Sequence, residues 1–373
     1  VAPGASVDFT LVGDSTLQTA TGESNEGRAA LSVPAGASAT IGGEGALTAI
    51  AGTAEAAGGA GIGGDFGEDA GSIAIHGGTV TARTYFSGSG IGGGTWGSGG
   101  KITISGGIVS AQGRQSGIGG GYGANGGNIA ISGGTVYARA RVGDRPDIGG
   151  MSDPNLASCT ITGGSIHTYK PNNLKPAAKN AVGATVHCVT VSGLPAETAL
   201  EITWLTSADA GYGQHDMRTD SEGRLYVWLP DGTHYLTVGG AGFCATVNGV
   251  DTEATPWSSG VTIDGTDVFL GSGDGWTYKD FTLSVTNADI HVDGTNIPHV
   301  VSGTNTAAEV RVSAACGGEL VVSNLVLDVS SGSGSPIAID TGDAVTLLLF
   351  GTNALYGAAN YAGVSVAANK TLV

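Results

Sequence analysis

Gly61-Ile62-Gly63-Gly64, Gly90-Ile91-Gly92-Gly93, Gly117-Ile118-Gly119-Gly120 and Asp147-Ile148-Gly149-Gly150 mark one unit written four times between Gly61 and Thr168. Each tetrad is followed by a short apolar strand, a Gly-Gly pair and a second strand. The strand pairs are 72–75 with 79–82, 101–104 with 108–111, 128–131 with 135–138 and, more loosely, 158–161 with 165–168. The tetrad Ile recurs after 29, 27 and 30 residues, and the Gly-Gly pair recurs at the same intervals. Two landmarks moving in step define a structural repeat. Shared composition alone would not keep them in register.

A period of about 30 residues, made only of short strands and Gly turns, is the signature of a solenoid. No amphipathic helix of useful length fits inside a unit, which argues against leucine-rich or ankyrin repeats. Within each strand, apolar residues alternate with Ala, Thr or Ser, the period-two pattern of one buried face. Stacked coils would align Ile73, Ile102, Ile129 and Cys159 in one inward column, and Ile75, Ile104, Ile131 and Ile161 in a second. Val80, Val109, Val136 and Ile166 would make a third. Gly at the corners permits positive φ and close approach of successive coils. The expected fold is all-β, with a parallel β-helix that is right-handed by the default of parallel crossovers.

The chain has 373 residues, 68 of them Gly, without the Gly-X-Y period of collagen. Charged residues are only 13% and the formal net charge is −17, a balance that argues against nucleic acid as a partner. It suits an exported protein, or one that holds cations. No apolar run approaches the length of a membrane span. The chain starts at Val1, without Met or signal peptide, and reads as a processed or excised piece of something longer. Cys159, Cys188, Cys244 and Cys316 form no C-x-x-C pair and suggest no zinc site. Cys159 stands in an Ile column as a small hydrophobe, and a Cys188–Cys244 disulfide is left open.

Residues 1–60 read as earlier, less Gly-rich coils, with strands at 7–11 and 31–33. The polar, Pro-containing stretch 169–184 reads as an exit from the solenoid. Alternating strands with turn signals such as Pro230-Asp231-Gly232 follow, and Trp204, Tyr226 and Trp228 enrich them in aromatics. The expected domains are therefore a β-helix over 1–180, a small immunoglobulin-like β-sandwich over 186–275, and a second β-helical segment over 276–373. The sandwich would serve as spacer, cap or binding module.

The last segment matches the first without a gap: 345–355 aligns with 7–17, and Val364-Ser365-Val366 with Leu31-Ser32-Val33. An open solenoid end exposes unpaired backbone and a cross-section of core. Val7, Phe9 and Leu11 at one end, and Leu347, Leu349, Val364, Val366 and Leu372 at the other, are therefore candidate assembly ends. Their docking would be heterologous and filament-forming, with further copies of the chain as partner.

The runs Gly59-Ala60-Gly61-Ile62-Gly63-Gly64, Gly99-Gly100-Lys101-Ile102-Thr103-Ile104-Ser105-Gly106-Gly107 and 126–134 resemble secreted bacterial parallel β-helix proteins with Gly-rich, carbohydrate-binding-type solenoid domains. The likeness covers both flanking segments. It implies the fold, and it implies export to the cell surface or beyond. Proteins of this kind include polysaccharide binders, adhesins and large surface proteins.

Aromatics recur just after the tetrads, as Phe66, Trp96 and Tyr122, and Tyr85 and Phe86 follow the first unit. Sugar rings stack their C–H faces on such side chains, so an exposed row would grip a polysaccharide, whereas a buried row would seal a corner. Asp65, Glu68 and Asp69 are candidate Ca²⁺ ligands, three carboxylates in five residues beside Gly carbonyls. The calcium nonapeptide pattern nevertheless places its acid differently. The same acids, with Asp144 and Asp147, are the nearest to the carboxylate pair of a glycoside hydrolase or polysaccharide lyase. The Gly-His-Gly and Arg-x-Lys tripeptides of pectin hydrolases are absent from the sequence. The leading expectation is a non-enzymatic extracellular module that assembles head-to-tail into a filament, stalk or adhesin. Polysaccharide binding along the aromatic edge is the alternative, and a polysaccharide-active enzyme the second alternative.

Overall fold

The structure is a computed structural model. It describes residues 1–19, 27–52, 58–170, 173–204, 211–257, 261–263, 266–267, 272–273, 276–279, 282–285, 290–292, 299–305, 310–312, 319–331, 334–339, 346–366 and 368. Two compact units divide the chain: Val1–Glu201 with Gly211–Thr233 and Ala245–Ala254, and Ile202–Ala210 with His234–Cys244 and Thr255–Val373.

The first unit is a three-faced parallel β-solenoid. Its strands run β1 (Ser6–Leu11), β2 (Asp14–Gln18), β3 (Leu31–Ser32), β4 (Ser38–Gly43), β5 (Ala46–Ala51), β6 (Ile62–Gly63), β7 (Ser72–Ile75), β8 (Thr79–Thr84) and β9 (Ile91–Gly92). They continue as β10 (Lys101–Ile104), β11 (Ile108–Gly113), β12 (Ile118–Gly119), β13 (Asn128–Ala140), β14 (Ile148–Gly149), β15 (Ser158–Thr168) and β16 (Leu174–Lys175). The third face alone, β3-β6-β9-β12-β14-β16, counts six coils. The other two faces meet in β13 and β15, long strands that turn the corner at Gly133-Gly134 and Gly163-Gly164.

Every ladder between the strands β1–β16 is parallel, and the inward columns fall in the expected register. Ile102 faces Ile73 on one side and Ile129 on the other. Cys159 faces Ile129, and Val109 lies between Val80 and Val136. These side chains are 0–3% exposed, so the alternation in sequence is an alternation between core and surface. Burial pushes the Cys159 thiol up to about 12, as befits a thiol used as an apolar filler.

The tetrads, landmarks of the repeat in the sequence, contain short strands of their own. Each contributes a buried Ile and a Gly to the third face, two residues too few to show a period. Gly63, Gly92, Gly119 and Gly149 hold φ between +119° and +138°, and a Cβ on any of them would overlap the carbonyl of the next coil. The coils therefore stack backbone on backbone at this face.

The two ends of the solenoid differ. At the last coil, Lys179 bridges Thr160, and Gly213 bridges Gly163 and accepts from the Gly164 N–H. Strand β17 (Val186–Val191) pairs antiparallel with β19 (Leu225–Pro230) and parallel with β22 (Thr252–Glu253). This small sheet lies over β15: Trp228 Nε1 donates to Ile166 O at 2.9 Å, and the Tyr226 N–H to Ser165 Oγ at 3.2 Å. Val186, Cys188, Tyr226 and Trp228 join the solenoid core. Asp220 ties the cap together, accepting from the N–H groups of Glu222 and Arg224, the Arg224 guanidinium and the Tyr226 hydroxyl. Burial opposes ionisation of its carboxyl, but these donors outweigh it and hold the group below the usual carboxylate range.

At the first coil, β1, β2 and β3 are edge strands of their faces. Val7, Phe9 and Leu17 are only half-buried, unlike the closed columns further on.

The second unit holds β18 (Ile202–Trp204) and most of β20 (Gly232–Val238), β21 (Ala241–Val247) and β23 (Thr255–Pro256), which lie in the sheet order β18-β20-β21-β23. The described strands of the middle region thus form two small sheets and do not show an immunoglobulin-like sandwich. Two longer sheets follow. In one, 290–292, 310–312, 337–339 and 364–366 are parallel, and in the other 282–285, 299–305, 319–328 and 346–350 are parallel. The first rungs, at 261–263 and 276–279, pair antiparallel.

Strands 346–350, 354–356 and 364–366 follow the pattern of β1, β2 and β3, to which the sequence aligns them. Leu347 and Val364 are half-buried, and Leu349 and Val366 exposed, while Leu372 lies outside the described residues.

Candidate functional site

The turns flanking the third face carry the aromatic residues. Phe66, Trp96 and Tyr122 occupy equivalent turns on successive coils, knitted by backbone bonds from Gly67 N–H to Thr95 O and from Trp96 N–H to Tyr122 O. All of them are exposed: Phe66 by 50%, Trp96 by 58% and Tyr122 by 39%. The indole of Trp96 meets the Tyr122 ring edge-on, with centroids 4.8 Å apart, and lies over Gly123. A Cβ on Gly123 would strike the indole, so the Gly makes room for the ring.

Trp96 also has φ of +67°. For a bulky side chain that conformation is sparsely populated and costs of order 1–3 kcal/mol. Gly67 and Gly123, in the turns of the neighbouring coils, have φ of +79° and +69°. Trp96 thus stands in a left-handed turn where glycine would be at ease. The indole is nevertheless more than half exposed.

Tyr85 and Phe86 follow β8, and the carbonyl of Ser87 accepts from the Tyr122 N–H, which brings this turn to the aromatic row. Tyr85 is exposed and Phe86 half-buried. The structure therefore gathers Tyr85, Trp96 and Tyr122 along one edge, with Phe66 one coil further.

Arginines interleave with these rings, and sequence reasoning missed them. The Arg141 guanidinium lies 5.4 Å from the Tyr85 ring centre and that of Arg145 lies 5.6 Å from Tyr122, both within cation–π range. Arg139 stacks on Tyr169 at 3.9 Å. The available signal was periodic: Arg114 and Arg141 stand 27 residues apart, the same interval as the third and second tetrads.

The carboxylates have other work. Asp65 is buried, takes an ion pair from Arg28 at 2.8 Å and accepts the Ala29 N–H at 2.7 Å. Asp69 accepts the Ser98 N–H, and Glu68 is exposed. Asp147 is fully buried and accepts from the backbone N–H groups of Ala140 and Lys170, latching the fifth coil to the sixth. Asp144 faces solvent, 3.6 Å from Arg145. Among the described residues, no group of three or more His, Cys, Asp or Glu gathers as a metal site.

No family model matches the chain, and no curated protein and no solved structure is significantly similar to it.

Proposed function

We propose that the first unit is a carbohydrate-binding solenoid that holds a polysaccharide against the edge formed by Trp96, Tyr122, Tyr85 and Phe66. The observation that carries this reading is the exposure of Trp96 in a backbone conformation unfavourable to it. Carbohydrate rings offer apolar C–H faces to such side chains, and their hydroxyls stay in water or meet polar groups alongside. The engagement of Asp65 and Asp147 as backbone latches supports binding over hydrolysis. An exported, surface-associated protein fits this role.

The test is affinity electrophoresis of the full chain in gels cast with soluble polysaccharides of differing charge and linkage. Trp96→Ala with Tyr122→Ala should lose at least about 10-fold in affinity for whichever polymer retards the parent, since base or ring stacking on one aromatic is worth roughly 1–3 kcal/mol. Both residues are exposed, so the circular dichroism spectrum should not change. Unaltered retardation of the double variant would remove the reading.

The ungapped match of 345–355 with 7–17 supports a second reading, in which the 346–366 strands of one copy pair with β1–β3 of another. Phe9→Asp should then reduce association measured by sedimentation velocity. Concentration-independent monomers of the parent chain would overturn it.

A further inference from the structure

The rows beside the aromatic edge carry a charge that the whole chain does not. Five of the nine arginines, Arg83, Arg114, Arg139, Arg141 and Arg145, fall within this one flank, in a chain of net charge −17. The parallel register sets their order. Arg83, Gln112 and Arg139 stand side by side on successive coils. Arg114 and Arg141 directly follow the paired residues Gly113 and Ala140 and form a second row. Arg83, Arg114, Arg139 and Arg141 are exposed. Among the described residues, none of these four has a carboxylate within ion-pair distance. A row of like charges at coil spacing is unfavourable in itself, and a surface that keeps one is complementary to an anion.

Against the first of these rows lies a shallow cleft of about 310 Å³, lined by Arg83, Gln112, Tyr137, Arg139, His167 and Tyr169. Its floor is packed ring on ring: His167 stacks on Tyr226 of the cap at 4.4 Å, and Tyr137 meets the His167 ring edge-on. Neighbouring strands lie about 4.8 Å apart, so Arg83 and Arg139, two coils apart, are separated by roughly 10 Å along the stack. That is of the order of the repeat of a disaccharide in a linear glycan. The guanidinium fork pairs with a carboxylate through two parallel N–H donors, a geometry that a Lys cannot reproduce.

Building on the carbohydrate-binding reading above, we propose that the ligand is an anionic polysaccharide of uronic acid type. Its carboxylates pair with Arg83, Arg139 and the Arg114–Arg141 row, and its sugar faces rest on Tyr85, Trp96, Tyr122 and Tyr169. The polymer runs along the stack of coils, so that successive carboxylates meet successive rows.

The experiment compares polygalacturonate and alginate with fully methyl-esterified polygalacturonate, which keeps the backbone and loses the charge. A panel of neutral polysaccharides and single-stranded oligothymidylate complete the set, all assayed with the full chain by isothermal titration and affinity gels. The expected result is at least 10-fold tighter binding of an acidic polymer than of its ester. That preference should weaken with salt, and should be lost in Arg83→Gln with Arg139→Gln while circular dichroism is unchanged. Trp96→Ala should instead weaken acidic polymer and ester alike.

Equal binding of acid and ester, or binding of neutral polymers alone, would overturn the anionic assignment and leave the aromatic edge as a sugar site. Binding of no polysaccharide would overturn both. Tighter binding of oligothymidylate than of either acidic polymer would replace the glycan with single-stranded nucleic acid.

Discussion

A Gly92→Ala variant is expected to lose about 4 kcal/mol or more of stability, enough to prevent most of the chain from accumulating folded. Two effects combine. Its φ of +130° is a region that only glycine occupies readily, and the added Cβ would overlap the carbonyl of Gly119 on the next coil. The obstacle is backbone, which cannot swing aside as a side chain would. Gly119 is itself pressed against Gly149, so the displacement has nowhere to go.

Gly67→Ala separates the two effects. Gly67 has φ of +79° but open space around the added Cβ, so only the conformational cost applies, about 1–2 kcal/mol. Urea denaturation of both variants checks the comparison. A Gly92→Ala protein no less stable than Gly67→Ala would mean that the coils are not held this closely at the third face.

The second large effect is expected at the cap. Trp228→Ala removes a fully buried indole, at a cost of about 3–5 kcal/mol, and leaves Ile166 O without its donor. Beyond the stability loss, the cap should loosen from the sixth coil. Cys159 and Cys188 report this directly, because burial raises both thiols far above their usual range and keeps them unreactive. Trp228→Ala should therefore speed their alkylation before global unfolding, whereas Trp228→Phe should lose mainly the hydrogen bond, about 1–3 kcal/mol. Equal thiol protection in all three proteins would show that β19 does not seal the core.

What the sequence made legible follows from period. Alternation at 73–75, 102–104 and 129–131, repeated at nearly constant intervals, specified both the buried face and the inter-coil register. Other features were not specified by alternation. The Ile-Gly strands of the third face are too short to display alternation, so the repeat marked their position but not their strand character. In β19, residues 225–229 are all buried, which means cover on both faces. That continuous apolar run was the mark of a strand pressed onto the solenoid, and a sandwich strand open on one side would have alternated.

The arginine rows were hidden by an average. A net charge of −17 describes the whole chain, while five of its nine arginines crowd one flank of it. The exposure of Trp96 was similarly out of reach, because packing of a turn against its neighbours decides it. The Ala, Thr and Ser positions between the buried columns predicted polar outer faces, but not where a cleft would lie on them.

The glycine column has a consequence for how such a molecule changes size. Each coil touches only the coils before and after it, and each presents the same backbone surface to both, so a coil copied in frame meets neighbours that already fit it. If the edge binds a glycan as proposed, growth by duplication would lengthen the grip in whole steps: another turn would bring another ring to the edge and another position to the charged rows. For a polymer that spans many coils, binding strength becomes a question of valency, with each added contact made at high local concentration. The glycines that forbid a single methyl group would thus be what lets the solenoid gain an entire coil.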